Sequence, residues 1–272
     1  NQFRILPIFC ADDAESLEVF MTMNTKGVRL AASDIIKSNI FKGMLAGAAS
    51  EKRQALSQKT LDQWMQFLEN LEAVNVDQAI RHYFLARRDE TFRVRDLIGI
   101  TQDEIDREPF GREHNANQLL VDLVSMSETY KQILESKYVL PSGSENRGPN
   151  STQVALNESL LILSKINQSS RVLTLELLHP SPKFSEAECL EIIRTTERLT
   201  MCWQLAGLNA QKLEDLFQRL AREINRGVAK PDVIISELVA SFPEMDRVRA
   251  ELVSPVTDAQ LARVLLYRIH QF

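Results

Sequence analysis

The chain has 272 residues, of which 44% are hydrophobic and 25% charged. That is the balance of a globular chain, not a disordered one. Its formal net charge of −5 excludes a chain-wide basic field for nucleic acid and leaves only local patches. Nine glycines and nine prolines are too few for the many tight turns of a sheet-rich fold, so an all-α, multi-helix chain is expected.

Cys10, Cys189 and Cys202 lie far apart. They form neither a Cys-x-x-Cys zinc pattern nor a disulfide framework. No apolar run reaches the roughly 18 residues that span a bilayer, and no signal peptide is recognisable. A reducing, cytoplasmic setting is expected. The Asn-x-Ser/Thr triplets at Asn150, Asn157 and Asn167 are then accidental as glycosylation signals.

In chain order, Phe3–Phe9 is a short apolar run that reads as one strand left from an upstream α/β domain. Asp12 caps a helix to about Met23, with Glu15 three residues on. The turn-forming run Asn24-Thr25-Lys26-Gly27 follows. Ser33 is expected to cap the next helix, with Asp34 in its first turn. Helical spacing then recurs at Leu61, Trp64, Met65, Leu68 and Leu71, and at Ile80, Tyr83 and Phe84. Thr101–Glu104 has the form of a capping box, and Pro109 stops the helix it begins. Leu120, Leu123, Val124, Ser127, Tyr130 and Leu134 mark one more stripe.

The polar, breaker-rich stretch 141–150 is the clear linker. Beyond it, Ser185–Glu188 is a second capping box, leading to Ile192, Thr196, Leu199, Trp203 and Ala206. Asn209 caps a helix that Gly227 closes, and Thr257–Gln260 is a third box before the stripe Leu261, Leu265, Ile269 and Phe272. Both ends read as cut. The expected organisation is 1–45 as the end of an upstream domain, 46–140 as a helical subdomain, 141–150 as linker and 151–272 as a second helical subdomain.

No phosphate loop, nucleophile elbow or dinucleotide fingerprint is present. His82, His114, His179 and His270 are scattered and read as structural, with His114 in a polar loop. Asp12/Asp13 and Glu186/Glu188 sit where helix starts explain them. The densest cationic cluster, Arg81, Arg87, Arg88, Arg93 and Arg95, is a candidate nucleic-acid contact or a solvated helix face. The helix–loop–helix at 19–37 offers another kind of site. Gly27 allows close backbone approach, Asn24 can donate and accept, and Lys26, Arg29 and the helix start favour an anion such as a nucleotide phosphate. A well-capped turn with surface lysines has the same sequence features.

Phe20, Met23, Asn24, Lys26, Gly27, Leu30, Asp34, Ile35, Ile36, Lys37, Ile40 and Phe41 resemble the pattern of the GmrSD-type, modification-dependent restriction endonucleases. This match covers about a tenth of the chain. Arg171–Leu173 through Ser185 to the 190–207 segment is similar to the family's helical middle more loosely. The resemblance implies Asn24, Lys26 and Gly27 as nucleotide-binding residues, with Thr22, Asp34 and Lys37 supporting the loop.

It also implies an upstream ParB-like domain with an Asp-Gly-Gln-Gln-Arg motif, and in some members a downstream His-Asn-His nuclease acting on modified DNA in phage defence. The cofactor implied for such a full-length protein is a nucleoside triphosphate, GTP being the candidate, with a divalent metal. Neither motif occurs in these 272 residues, so the chain is expected to be a helical connector without a complete catalytic site. Homo-oligomerisation of such a connector is a further expectation. The alternative expectation is a non-enzymatic helical module that binds protein.

Overall fold

The computed structural model describes residues 31–72, 74–139, 150–253 and 259–270. These form twelve α-helices and one 3-10 turn, and no strand occurs among the described residues. The all-α expectation therefore holds. The expected strand at 3–9, the helix after Asp12 and the Thr257 box start lie outside the described residues.

The described chain divides into two compact units. One comprises 31–69, Asn75–Ile80 and Phe92–Val124; the other comprises Asn70–Val74, Arg81–Thr91 and the chain from Ser125 onward.

In the first unit, α1 (Ala32–Leu45) forms because Ile36, Ile40 and Met44 recur every four residues and are fully buried. Each such side chain contributes about 1.5–3 kcal/mol by leaving water. Ser33 does not cap this helix. The N-cap is Ala31, whose methyl group cannot accept a hydrogen bond. Asp77, in the first turn of α3 (Val76–Leu85), does the work from 44 residues away. Its carboxylate accepts from the Ser33 N–H at 2.8 Å and the Ala32 N–H at 3.2 Å. Two of the four orphan donors of α1 are thereby satisfied.

Near its other end α1 comes very close to its neighbours. A Cβ placed on Gly43 would stand 2.7 Å from the Ala116 Cβ and 3.1 Å from the Ile105 Cγ2. Only glycine permits that approach to α4 (Leu97–Ile105) and α5 (Arg112–Glu135).

The start of α4 corrects the sequence reading. Thr101 lies inside α4 and donates its hydroxyl back to the Leu97 carbonyl at 2.7 Å. The same hydroxyl that can cap a helix can also satisfy itself within one. The helix begins earlier because Leu97 is fully buried. Its entry turn, Val94–Asp96, is closed by the Arg93 N–H donating to Asp96 at 2.8 Å. His114 is not in a loop; it sits in the first turn of α5, 4.9 Å from the Phe110 ring. Asn115 fastens the preceding turn by donating to the carbonyls of Ile105 and Arg107.

The helix α2 (Ser50–Asn70) buries Thr60, Trp64 and Phe67, while Met65 points outward at 45% exposure. Its first six residues are all exposed.

In the second unit, α8 (Glu186–Leu205) is the central element. Against it pack α6 (Ser151–Ile166), α7 (Arg171–Leu178), α9 (Ala210–Asn225), α10 (Pro231–Ala240) and α11 (Met245–Val253), while α12 (Ala259–His270) packs on α6. Ile192, Ile193, Thr196 and Leu199 of α8 are fully buried. Trp203 is only half-buried and donates its indole N–H to the Asn209 carbonyl at 3.0 Å.

Caps appear here as expected. Ser185 and Glu188 bond reciprocally at the start of α8, Asn209 caps α9, and Gly227 ends it at φ +68°. The asparagines of the three glycosylation triplets all have structural partners. Asn150 caps α6, Asn157 bonds the Tyr138 backbone on both sides, and Asn167 accepts from the Ser169 N–H.

Gly43→Val is expected to destabilise the first unit by about 2–3 kcal/mol through overpacking. Asp77→Ala should cost about 1 kcal/mol through lost capping. Both are read from urea-unfolding midpoints; an unmoved midpoint for Gly43→Val refutes the close approach.

Candidate functional site

Of the residues expected around the anion-binding loop, Thr22, Asn24, Lys26 and Gly27 lie outside the described residues. Asp34 and Lys37 do not. Asp34 is exposed in the first turn of α1, where its charge opposes the positive helix start. Lys37 extends over the Phe41 ring, 5.7 Å from its centroid.

The arginine cluster is distributed between the two units. Arg81 is four-fifths buried and paired with Glu214 of α9 at 2.8 Å. Arg87 is paired with Glu176 of α7 at 3.1 Å and stacks on the Tyr83 ring at 4.0 Å. The carbonyls of Arg88 and Asp89 accept from Arg222, and Asp89 also pairs with Arg226. Arg93 and Arg95 are exposed, with Arg95 3.7 Å from Asp96. The guanidinium groups of Arg81 and Arg87 thus face carboxylates of the chain itself.

What this region does contain is a buried polar seam within the second unit. Glu176 is 1% exposed. Its carboxylate takes Arg87 on one side and the Asn225 amide on the other, at 3.0 Å. Burial raises the Glu176 carboxyl above its ordinary range, against the opposing pull of Arg87 and Asn225. One turn along α7, His179 faces the Thr129 hydroxyl at 3.3 Å. Nearby, the His82 Nδ1 lies 2.9 Å from the Tyr130 hydroxyl.

Burial lowers His82 to about 3, with Arg171 and Arg81 adding to the effect. Burial, Arg87 and Lys183 lower His179 to about 4.

Sequence reasoning missed Glu176, Tyr130 and Arg171. One signal was available: Glu176 is the lone charge inside Val172–Leu178 and stands three residues before His179. Glu-x-x-His spacing can serve metals, but this carboxylate is already shared between Arg87 and Asn225. No group of three or more metal-ligating side chains occurs among the described residues. A cavity of about 10 Å³ beside Ser164, Ser170, Arg171 and Thr174 has room for about one water. The seam's chemistry is that of a structural network, with neutral histidines and a shared carboxylate.

No family model, curated protein or solved structure matches the chain. No helix among the described residues is long and apolar enough to cross a membrane.

Arg87→Met should destabilise the second unit by roughly 3 kcal/mol, because it strands a buried carboxylate. Arg87→Met with Glu176→Met should recover at least half of that loss, and a double variant no more stable than the single one would contradict the pairing. A separate outcome concerns pH. Both histidines have folded pKa values below 6.5, so the unfolded chain takes up their protons first as pH falls. Stability is full above pH 6.5 and declines toward pH 4 and then pH 3. Between about pH 7 and pH 5 the loss should be roughly 3–4 kcal/mol, and His82→Gln with His179→Gln should flatten it.

Proposed function

We propose that this chain is the helical middle region of a GmrSD-type, nucleotide-dependent and DNA-modification-sensing restriction protein. In that role it couples a nucleotide-hydrolysing domain to a nuclease domain. The observation that carries the reading is the Phe20–Phe41 segment, whose Asn24, Lys26 and Gly27 suit a phosphate and whose spacing continues through Asp34 and Lys37.

In the described half, the helix start expected to favour an anion is already occupied, because the Ala32 and Ser33 N–H groups donate to Asp77, so the phosphate contacts of this reading rest on Asn24, Lys26 and Gly27. Ile36 and Ile40 are core residues of α1, while Asp34 and Lys37 remain on its outer side. The helix that would hold the loop is thus anchored through its apolar face. Asn24 would hydrogen-bond the nucleotide, Lys26 would neutralise a phosphate, and Gly27 would admit the phosphate to the backbone. The nucleotide, a triphosphate such as GTP with a divalent metal, would be held jointly with upstream residues.

A second reading, a protein-binding module, is favoured by exposed apolar side chains on consecutive helices. Val233 and Val239 on α10 and Met245 and Leu252 on α11 are each 44–56% exposed. Such side chains suit association with protein. A chain that sediments as a monomer at high concentration argues against this reading.

The first reading is tested on a chain extended with its upstream residues. Asn24→Ala and Lys26→Ala should each lower nucleotide hydrolysis by roughly tenfold or more. Unchanged hydrolysis and nucleotide affinity in both would sink the pocket.

A further inference from the structure

We infer that the N-terminal half of α2 is a duplex-DNA contact, gripping the phosphate backbone through Lys52, Arg53 and Lys59. At 21 residues, α2 is about 31 Å long. Only its second half is rooted in the core, through Thr60, Trp64 and Phe67. Residues 50–55, 58 and 59 are all exposed. Arg53 is exposed too, although it stands two turns before Thr60 on the same helical line. The stripe that buries Thr60, Trp64 and Phe67 therefore continues past the core, and the six residues 50–55, about 9 Å of helix, are exposed all round.

Three features of this arm select its partner. The first is charge. Within 50–59 there are three cations and one carboxylate, Glu51. Lys52, Arg53 and Lys59 make no ion pair with a described residue. The same is true of Lys42, exposed in the last turn of α1 just before α2. Arg81, Arg87, Arg107, Arg112, Arg219 and Arg226 face carboxylates, whereas Arg194, Arg198 and Arg247 are exposed outside α2. A set of cations left together without counter-charge is what a polyanion needs.

The second feature is what the arm lacks. Its exposed side chains are Ser50, Glu51, Lys52, Arg53, Gln54, Ala55, Gln58 and Lys59. No aromatic or large aliphatic anchor is among them, which disfavours a protein partner and a membrane surface. The third is shape. A helix about 10–12 Å across fits a major groove about 12 Å wide.

The choice of duplex DNA as the polyanion rests on the functional reading above; the charge and overhang do not. This places the nucleic-acid surface on α2 instead of on the Arg81–Arg88 stretch, whose Arg81 and Arg87 guanidiniums face carboxylates within the chain.

The test is fluorescence anisotropy of the full chain with a labelled duplex of about 30 base pairs, between about 50 and 200 mM salt. The triple variant Lys52→Ala, Arg53→Ala, Lys59→Ala should weaken binding roughly 10–100-fold at low salt and reduce the slope of log affinity against log salt by about 2–3. Its thermal midpoint should stay near the parent's, since all three side chains are exposed. The control triple Lys165→Ala, Lys212→Ala, Lys230→Ala should leave both quantities unchanged.

An unchanged slope in the α2 variant overturns the proposal. So does a parent chain that fails to bind the duplex, or one that prefers polyglutamate to it. Loss of nucleotide dependence in Asn24→Ala or Lys26→Ala does not alter these readings, so the two proposals fail separately.

Discussion

The second unit turns on a carboxylate that has been taken out of water. Glu176 sits on α7, inside an otherwise apolar stretch, and an unpaired charge there would cost several kcal/mol. Arg87, just beyond the end of α3, pairs with one carboxylate oxygen, and Asn225, at the end of α9, donates to the other. Three segments far apart in sequence must therefore meet in one register. Around this point the other polar contacts fall into place: Arg81 to Glu214, Arg222 to the carbonyls of Arg88 and Asp89, and His179 to Thr129. Apolar burial drives the helices together, while the seam restricts how they may come together. A hydrophobic replacement of the pair could be equally stable, yet it would tolerate more arrangements.

The neutral histidines belong to the same logic. Burial and nearby arginines both disfavour a charge on these imidazoles. A strongly shifted pKa often marks a catalytic group, but here desolvation and fixed arginines explain the shift without a substrate.

Much of the helical layout was legible because it rests on local chemistry. Ser185 with Glu188, Asn209 and Gly227 act within one turn of chain, and their geometry follows from residue type. The core stripes Ile36–Ile40 and Trp64–Phe67 follow from periodicity. What escaped depends on distance along the chain. Ser33 resembled a cap because nothing local revealed Asp77, and Thr101 resembled one because a hydroxyl three residues before a glutamate fits two environments. The arginines at 81–95 look like one patch in sequence, but Arg81 and Arg87 find their carboxylates on α9 and α7, more than eighty residues away. The loop Asn24–Gly27 stands on resemblance and residue chemistry, and the overhang of α2 could not be read from a helix-length apolar pattern alone.

The capping of α1 by Asp77 has a consequence for the order in which the chain takes shape. The first turn of α1 is synthesised well before the carboxylate that satisfies its amides. Until residue 77 emerges and α3 begins to form, the Ala32 and Ser33 N–H groups have only water. The segment that precedes α1 is then attached to a fraying end. Closing that end requires a loop of more than forty residues, so it belongs to the slower, non-local part of folding. Any chain cut between α1 and α3 would keep every residue of the Phe20–Phe41 segment and still lose the group that fixes where its second helix starts.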